Sequence, residues 1–175
     1  MSTIIANNIQ SDTITEKTSG AGVKIVGHVL QVVGNTNSTY NGGASAGLTR
    51  DDTIPQQSEV HMCVEVSITP KFANSKLFIQ ASIPGGTQNN TYTACCLFQD
   101  SNADAIQVMP IYNPNNNVEM VWALSHYMTA GTTSSTTFKV GLGSNSGAIY
   151  QNGVSSARRY GGASASTIVI MEIAQ

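Results

Sequence analysis

Val60-His61-Met62-Cys63-Val64-Glu65-Val66-Ser67-Ile68-Thr69-Pro70, followed after a bend over Lys71 to Ser75 by Leu77-Phe78-Ile79-Gln80-Ala81-Ser82-Ile83, is the stretch whose reading decides the fold. Val60, Met62, Val64, Val66 and Ile68 alternate with Glu59, His61, Glu65, Ser67 and Thr69, a period of two that a helix cannot bury. Pro70 stops the run because it lacks the N–H a continued ladder needs. Asn74 and Ser75 favour the bend, after which Leu77, Ile79, Ala81 and Ile83 resume the alternation. The two runs are expected to pair as antiparallel strands of a half-buried sheet.

Outward from this pair the same pattern recurs. Short strands are expected at Val29 to Val33, Thr91 to Phe98, Ala105 to Met109, Val118 to Met128, Phe138 to Leu142 and Thr167 to Ile173, divided by Gly, Asn, Ser and Pro. Thr36 to Ala46 reads as a long polar loop, the kind that often carries binding. About seven to nine such strands without a helical period predict an all-β antiparallel sandwich of jelly-roll type. The runs Cys95 to Phe98, Val118 to Ala123 and Ile168 to Ile173 are apolar on both faces, where a simple sandwich leaves one face wet. Subunit packing is the expected cover, a trimer the first choice of symmetry, and Val121, Trp122, Val169 and Met171 the expected interface residues.

Composition narrows the function. Charged residues are 10% of the 175, against roughly 25% in an average soluble protein, and the formal net charge is -2. That gives no basic footprint for nucleic acid. Arg158-Arg159 reads as a solvated loop. No apolar run is long enough to span a bilayer and no secretion signal opens the sequence, so synthesis in a cytoplasm is expected. The adjacent Cys95 and Cys96, with Cys63 in a strand, read as buried, inert thiols and not as a disulfide framework.

Residues 1–22 read as an extended arm and hinge, and 23–175 as the β-sandwich domain. The arm's isolated Ile4, Ile5, Ile9 and Ile14 are too few for a core and suit anchoring on a partner. Three further pieces carry a resemblance: Gly27-His28-Val29-Leu30-Gln31-Val32-Val33; Val66-Ser67-Ile68-Thr69-Pro70 leading into Asn74-Ser75-Lys76-Leu77-Phe78-Ile79; and Ser166-Thr167-Ile168-Val169-Ile170-Met171-Glu172-Ile173. In this order they resemble the distal domains of tailed-phage tail fibres and tailspikes, and Ser2-Thr3-Ile4-Ile5-Ala6-Asn7-Asn8-Ile9-Gln10 looks like the opening of many such proteins. The resemblance implies a homotrimeric β-sandwich displayed on a virion. A fibre needs a long shaft, whereas the roughly twenty residues before the body reach a few tens of Å at about 3.5 Å each. A capsid decoration (cement) protein is therefore expected, partnered by the major capsid protein, with a tail fibre or tailspike receptor-binding domain as the alternative.

No catalytic, cofactor or metal site is expected, and the chain reads as non-enzymatic. Ser125 and His126 are neighbours on a strand and point to opposite faces, so they share no proton. His61 and Cys63 share a face at i, i+2 but lack a second ligand pair. Gly141-Leu142-Gly143 with Gly147 has no following helix and reads as a turn, and Arg50-Asp51-Asp52 as a solvated turn. Tyr40, Tyr112 and Tyr160, in Asn- and Gly-rich surroundings, are the candidates for recognising a host-surface glycan.

Overall fold

A computed structural model describes residues 25–44, 47–155 and 157–175. The expected arm and hinge, with Ile4, Ile5, Ile9 and Ile14, lie outside the described residues. The described chain is all-β. In order, its strands are β1 (Val29–Asn37), β2 (Asn41–Ala44), β3 (His61–Ile68), β4 (Lys76–Thr87), β5 (Thr91–Gln99), β6 (Gln107–Asn113), β7 (Glu119–Thr129), β8 (Thr136–Ser144), β9 (Ile149–Gln151), β10 (Gly153–Val154), β11 (Ala157–Arg158) and β12 (Ser166–Ile173). Single 3-10 turns lie at Gln57–Glu59 and Tyr160–Gly162. The expected polar loop is shorter than its composition suggests: Thr36 and Asn37 complete β1, and Asn41–Ala44 form β2.

The long strands make two antiparallel sheets, β1-β12-β4-β7 and β3-β8-β5-β6. Along β4 one edge is shared, with β12 paired over Lys76 to Ser82 and β9 over Gly85 to Thr87, while β2 extends the sheet from β9. Four pairings are nested: β1 with β12, β3 with β8, β4 with β7 and β5 with β6. The first long strand thus meets the last and the inner ones meet each other, as in a hairpin folded over itself, which is a jelly roll.

This arrangement corrects the expected pairing of β3 with β4. They occupy opposite sheets, because both edges of β4 are already taken by β7 and by β12 with β9. The bend from Pro70 to Ser75 carries the chain across the sandwich, so the apolar sides of β3 and β4 face each other. Leu77, Ile79 and Ile83 of β4, Trp122 of β7 and Ile168 and Ile170 of β12 meet Cys95 and Leu97 of β5 and Phe138, Val140 and Leu142 of β8 in one core.

β3 contains a bulge that the alternation does not reveal. Met62 opposes Gly141 and Val64 opposes Val140, which leaves Cys63 as the extra residue. Val60 and Met62 consequently pack on the outside of the sheet, whereas Cys63, Val64 and Val66 pack inside. A Cβ on Gly141 would lie 2.6 Å from Val60 Cγ2, so the strand stays bare there to let Val60 sit over it.

The second apolar face of β5 is covered by the chain itself, which corrects the expectation of a subunit at Cys95 to Phe98. Ala94, Cys96 and Phe98 form an outer cluster with Leu48, and Val60, Met62, Ala105 and Val108 pack against it. The segment from Leu48 to Met62 acts as a lid because its own apolar side chains need the same burial.

Glu172 of β12 points inward and is fully buried. Its carboxylate accepts hydrogen bonds from Ser75 Oγ (2.6 Å), Gln31 Nε2 (2.6 Å), Lys71 N (2.8 Å) and Phe72 N (3.2 Å). Burial acts to raise its pKa, but the bonds from Ser75, Lys71, Gln31 and Phe72 outweigh it and hold the carboxyl below its ordinary 4.5. The charge therefore stabilises the fold above about pH 4.5, and that contribution is lost as pH falls through the lower folded value. Glu172→Gln is expected to cost about 2 kcal/mol at neutral pH. It should also flatten the acid limb of stability, as measured by urea unfolding at pH 7 and pH 3; an unchanged acid limb would remove Glu172 from this role.

Candidate functional site

Among the described residues, the outer face of the β1-β12-β4-β7 sheet has no lid like that on the other sheet. Its register sets side chains abreast in rows. Val32, Met171, Phe78 and Tyr127 make one row; Gly34, Val169, Gln80 and Ser125 the next; Thr36, Thr167, Ser82 and Ala123 a third, with Pro84 and Val121 beyond. Val32, Val121 and Tyr127 are each more than half exposed. Charge enters only towards the ends, at Lys76, whose Nζ donates to Thr129 Oγ1 at 2.7 Å, and at Glu119. The small side chains of the middle rows leave a hollow of about 550 Å³ bordered by Gln80, Ser82, Ala123, Ser125, Val169 and Met171. Between its ends the face is thus uncharged and partly apolar, with a notch between bulkier rims.

Val121, Val169 and Met171 stand on this face. Trp122 does not, and that corrects its place among the expected interface residues. Neighbours on a strand point to opposite sides, so with Val121 outward Trp122 lies wholly inside the core, where Nε1 donates to Thr93 Oγ1 at 2.9 Å.

The three tyrosines do not form one site. Tyr40 is folded over Gly42 and Gly153, and its hydroxyl is buried without a hydrogen-bond partner among the described residues. Burial pushes its pKa up. Tyr160, 73% exposed, donates its hydroxyl to Glu119 Oε2 at 3.0 Å, and Arg159 Nε lies 3.9 Å from Glu119 Oε1. The hydrogen bond to Glu119 raises the Tyr160 pKa. Tyr112 is on the other sheet, directly opposite Tyr92 across the β5–β6 ladder, with ring centroids 4.6 Å apart. The Arg50 guanidinium lies 3.7 Å from the Tyr92 centroid. Beside them is a hollow of about 220 Å³ lined by Leu48, Arg50, Asp51, Tyr92, Pro110 and Asn145 among others. The sequence offers Tyr112 as a recognition candidate, reads Arg50 as part of a solvated turn and passes over Tyr92, because only the register of the hairpin and the path of the lid bring the three together.

The residues weighed for catalysis stay apart. Ser125 is on the open face, while His126 turns to the interior side and its Nδ1 lies 3.2 Å from Gln107 Oε1. Burial lowers the His126 pKa. His61 Nε2 is 3.1 Å from Gln151 Oε1, and Cys63 is buried in the core. Asp51 accepts from Thr53 N (2.8 Å) and Thr53 Oγ1 (2.5 Å), bonds that lower its pKa and close a turn. Among the described residues no three His, Cys, Asp or Glu side chains group to hold a metal ion, and no helix is long and apolar enough to cross a membrane.

No protein-family model matches the chain, and no curated protein sequence matches it. Solved structures with a similar course include dimeric latent PorU from Porphyromonas gingivalis (TM-score 0.44, 10% identity, 91% of this chain and 14% of that one). The infectious bursal disease virus Gx strain structure aligns at TM-score 0.43 and 9% identity over 82% of this chain and 32% of that one. The enzymatically active domain of bacteriophage CBA120 tailspike protein 4 aligns at TM-score 0.31 and 14% identity over 67% of this chain and 18% of that one. This chain spans a third or less of each of those chains, and what they share with it is β-rich architecture.

All three cysteines are free and buried. Burial pushes the Cys63 and Cys96 thiols up to about 12 and raises Cys95 as well, with Cys63 and Cys96 adding to the Cys95 shift. A thiol reagent such as Ellman's should find no fast-reacting group in the native protein and three equivalents after denaturation. Rapid modification under native conditions would contradict this burial.

Proposed function

We propose that this chain is a non-enzymatic structural protein of a phage virion, a homotrimeric capsid decoration (cement) protein on the outer shell. The observation that carries the reading is the outer face of the β1-β12-β4-β7 sheet, which no other segment among the described residues covers. One sheet of the sandwich has its outer apolar surface covered by the chain's own lid, while the other presents Val32, Val121, Val169, Met171 and Tyr127 without charge between its ends. Sister copies are the covering surface, three around an axis. The resemblance of the strand segments to phage fibre tips supports the virion setting, and the paucity of charge suits an assembled particle. Ile4, Ile5, Ile9 and Ile14 of the arm then anchor on the major capsid protein.

The second reading is a tail fibre or tailspike distal domain that binds a host receptor. The exposed Tyr92–Tyr112 pair, on the sheet opposite the proposed interface, favours it. Copy number separates the two: hundreds per particle indicate the shell and a handful the tail.

Val121 is more than half exposed in the single chain, so Val121→Asp should leave the fold intact, but it would place an unpaired carboxylate in the interface. Sedimentation is expected to show a trimer for the parent protein and an association at least about a hundredfold weaker for Val121→Asp. A monomeric parent at micromolar concentration would overturn the trimer. Removal of residues 2–19 should leave the trimer but abolish binding to undecorated capsids; full retention of binding would overturn the role of the arm.

A further inference from the structure

We infer that Thr136, Asp100 and Gln99 form a self-cross-linking site, in which the Thr136 hydroxyl attacks the Gln99 side-chain amide and joins β8 to β5 by an ester, with loss of ammonia. The inference holds whether the protein sits on shell or tail.

The three groups meet where β5 ends and β8 begins. Gln99 lies opposite Phe138 in the β5–β8 ladder, and Thr136 stands two residues before Phe138, so Gln99 and Thr136 are diagonal neighbours on the inner face. Thr136 is 2% exposed. Its Oγ1 donates to Asp100 Oδ2 at 2.8 Å and accepts from Gln99 Nε2 at 2.9 Å. One hydroxyl thus touches both a carboxylate that can take its proton and a carboxamide whose carbon can take its lone pair. That is the nucleophile, base and electrophile of an acyl transfer.

The base is held in place. Asp100 Oδ1 accepts from Thr137 N at 2.7 Å, and Asp100 N donates to Thr137 O at 2.8 Å. Its φ of 54° is a backbone conformation uncommon outside glycine, and these bonds maintain it. Other buried hydroxyls have only part of the set. Ser75 Oγ donates to the Glu172 carboxylate, but the nearby Gln31 amide is bonded to Glu172 and not to the serine. Ser166 Oγ sits between the Gln151 and Asn152 carboxamides, where it donates to an amide oxygen that is no base.

The step balances without a co-reactant. The Thr136 proton passes to Asp100 as Oγ1 bonds to Gln99 Cδ and the carbonyl electron pair moves onto Oε1. When that pair returns, the Cδ–Nε2 bond breaks, the nitrogen takes the proton from Asp100, and ammonia leaves. Asp100 ends as the carboxylate it began as. The carboxamide must first turn about its Cγ–Cδ bond, because an N–H that donates to Oγ1 presents the edge of the amide and not its face. This terminal torsion is broad, and Oε1 has no hydrogen bond among the described residues to resist the turn. The same absence leaves the developing oxyanion without a protein donor, so the reaction is slow and accumulates with age of the folded protein. Escape of ammonia and the dry setting of Thr136 then preserve the ester. The closed loop restricts the unfolded chain, which raises stability.

The test follows the full chain, kept folded at neutral pH and room temperature, by intact mass over a week. A growing fraction should be lighter than the sequence mass by one ammonia. Cleavage at methionine should then leave fragments 63–109 and 129–171 joined. Mild alkali should separate them, since it hydrolyses an ester and spares peptide bonds, and the linked protein should unfold at higher urea than fresh protein. Thr136→Val should abolish the joined fragments and Thr136→Ser should retain them. Asp100→Asn should slow their formation about a hundredfold. Trp122 emission matching the parent reports an intact core in each variant, and Gln99→Met, which should also abolish the link, serves if Thr136→Val does not fold. The inference is overturned if the parent's fragments separate without alkali after a week, if the joined fragments resist alkali, if they form in Thr136→Val or Gln99→Met, or if Asp100→Asn forms them at the parent's rate.

Discussion

Trp122 joins the two sheets. Its indole fills the centre of the core, and its N–H reaches across to Thr93 Oγ1, which in turn donates to the Ile111 carbonyl at 3.0 Å. A line of hydrogen bonds therefore runs from β7 through β5 to β6, and Asn113 Nδ2 of β6 donates to Thr87 Oγ1 of β4 at 2.7 Å as a second buried link between the sheets. A buried indole N–H or threonine hydroxyl without a partner would cost a desolvation penalty, so the line fixes the offset of one sheet over the other. Hydrophobic burial alone is indifferent to a small slide between sheets, whereas this relay is satisfied at one position only.

The two outer surfaces of the sandwich then have different fates. Over β3-β8-β5-β6, the lid from Leu48 onward closes on Ala94, Cys96 and Phe98 and on strand stretches left bare at Gly141 and Gly143. It also delivers Arg50 to the edge of that sheet, beside Tyr92. Over β1-β12-β4-β7 the register collects small residues in the middle and larger apolar ones at the margins. The same jelly roll thus carries a self-sealed side with a small polar-rimmed hollow and a side that no described segment covers.

Much of this was legible in the residues, and the failures have physical reasons. Alternation located β3, β4, β5, β7, β8 and β12 because a half-buried strand leaves a period of two whatever its partner. Alternation says which face is buried and nothing about which edge is paired, so β3 and β4 read as neighbours when they face each other across the core. The bulge at Cys63 adds one residue without breaking the apolar run, and its reversal of Val60 and Met62 is invisible until Gly141 is placed opposite. Apolar residues on both faces of β5 and β7 look alike in sequence, yet the lid covers one, and no described segment covers the outer side of the other. Tyr112 stood out as an aromatic in polar company, but its partnership with Tyr92 exists only through the ladder.

One feature of the topology governs how the molecule can be made. β12 lies between β1 and β4, so a strand far along this sequence occupies the middle of its sheet. Until it arrives, β1 has no neighbour, Glu172 is missing from the bend at Lys71 to Ser75, and the Leu77 to Ile83 edge of β4 is open. Gly27 and Ala174 lock together only at the end, through Gly27 N to Ala174 O and Ala174 N to His28 O, both at 2.9 Å. The sandwich cannot close before β12 is available. A chain in which β12 is not yet in place carries an apolar, unpaired edge, and in that interval a chaperone or a sister chain nearby has its best opportunity to bind.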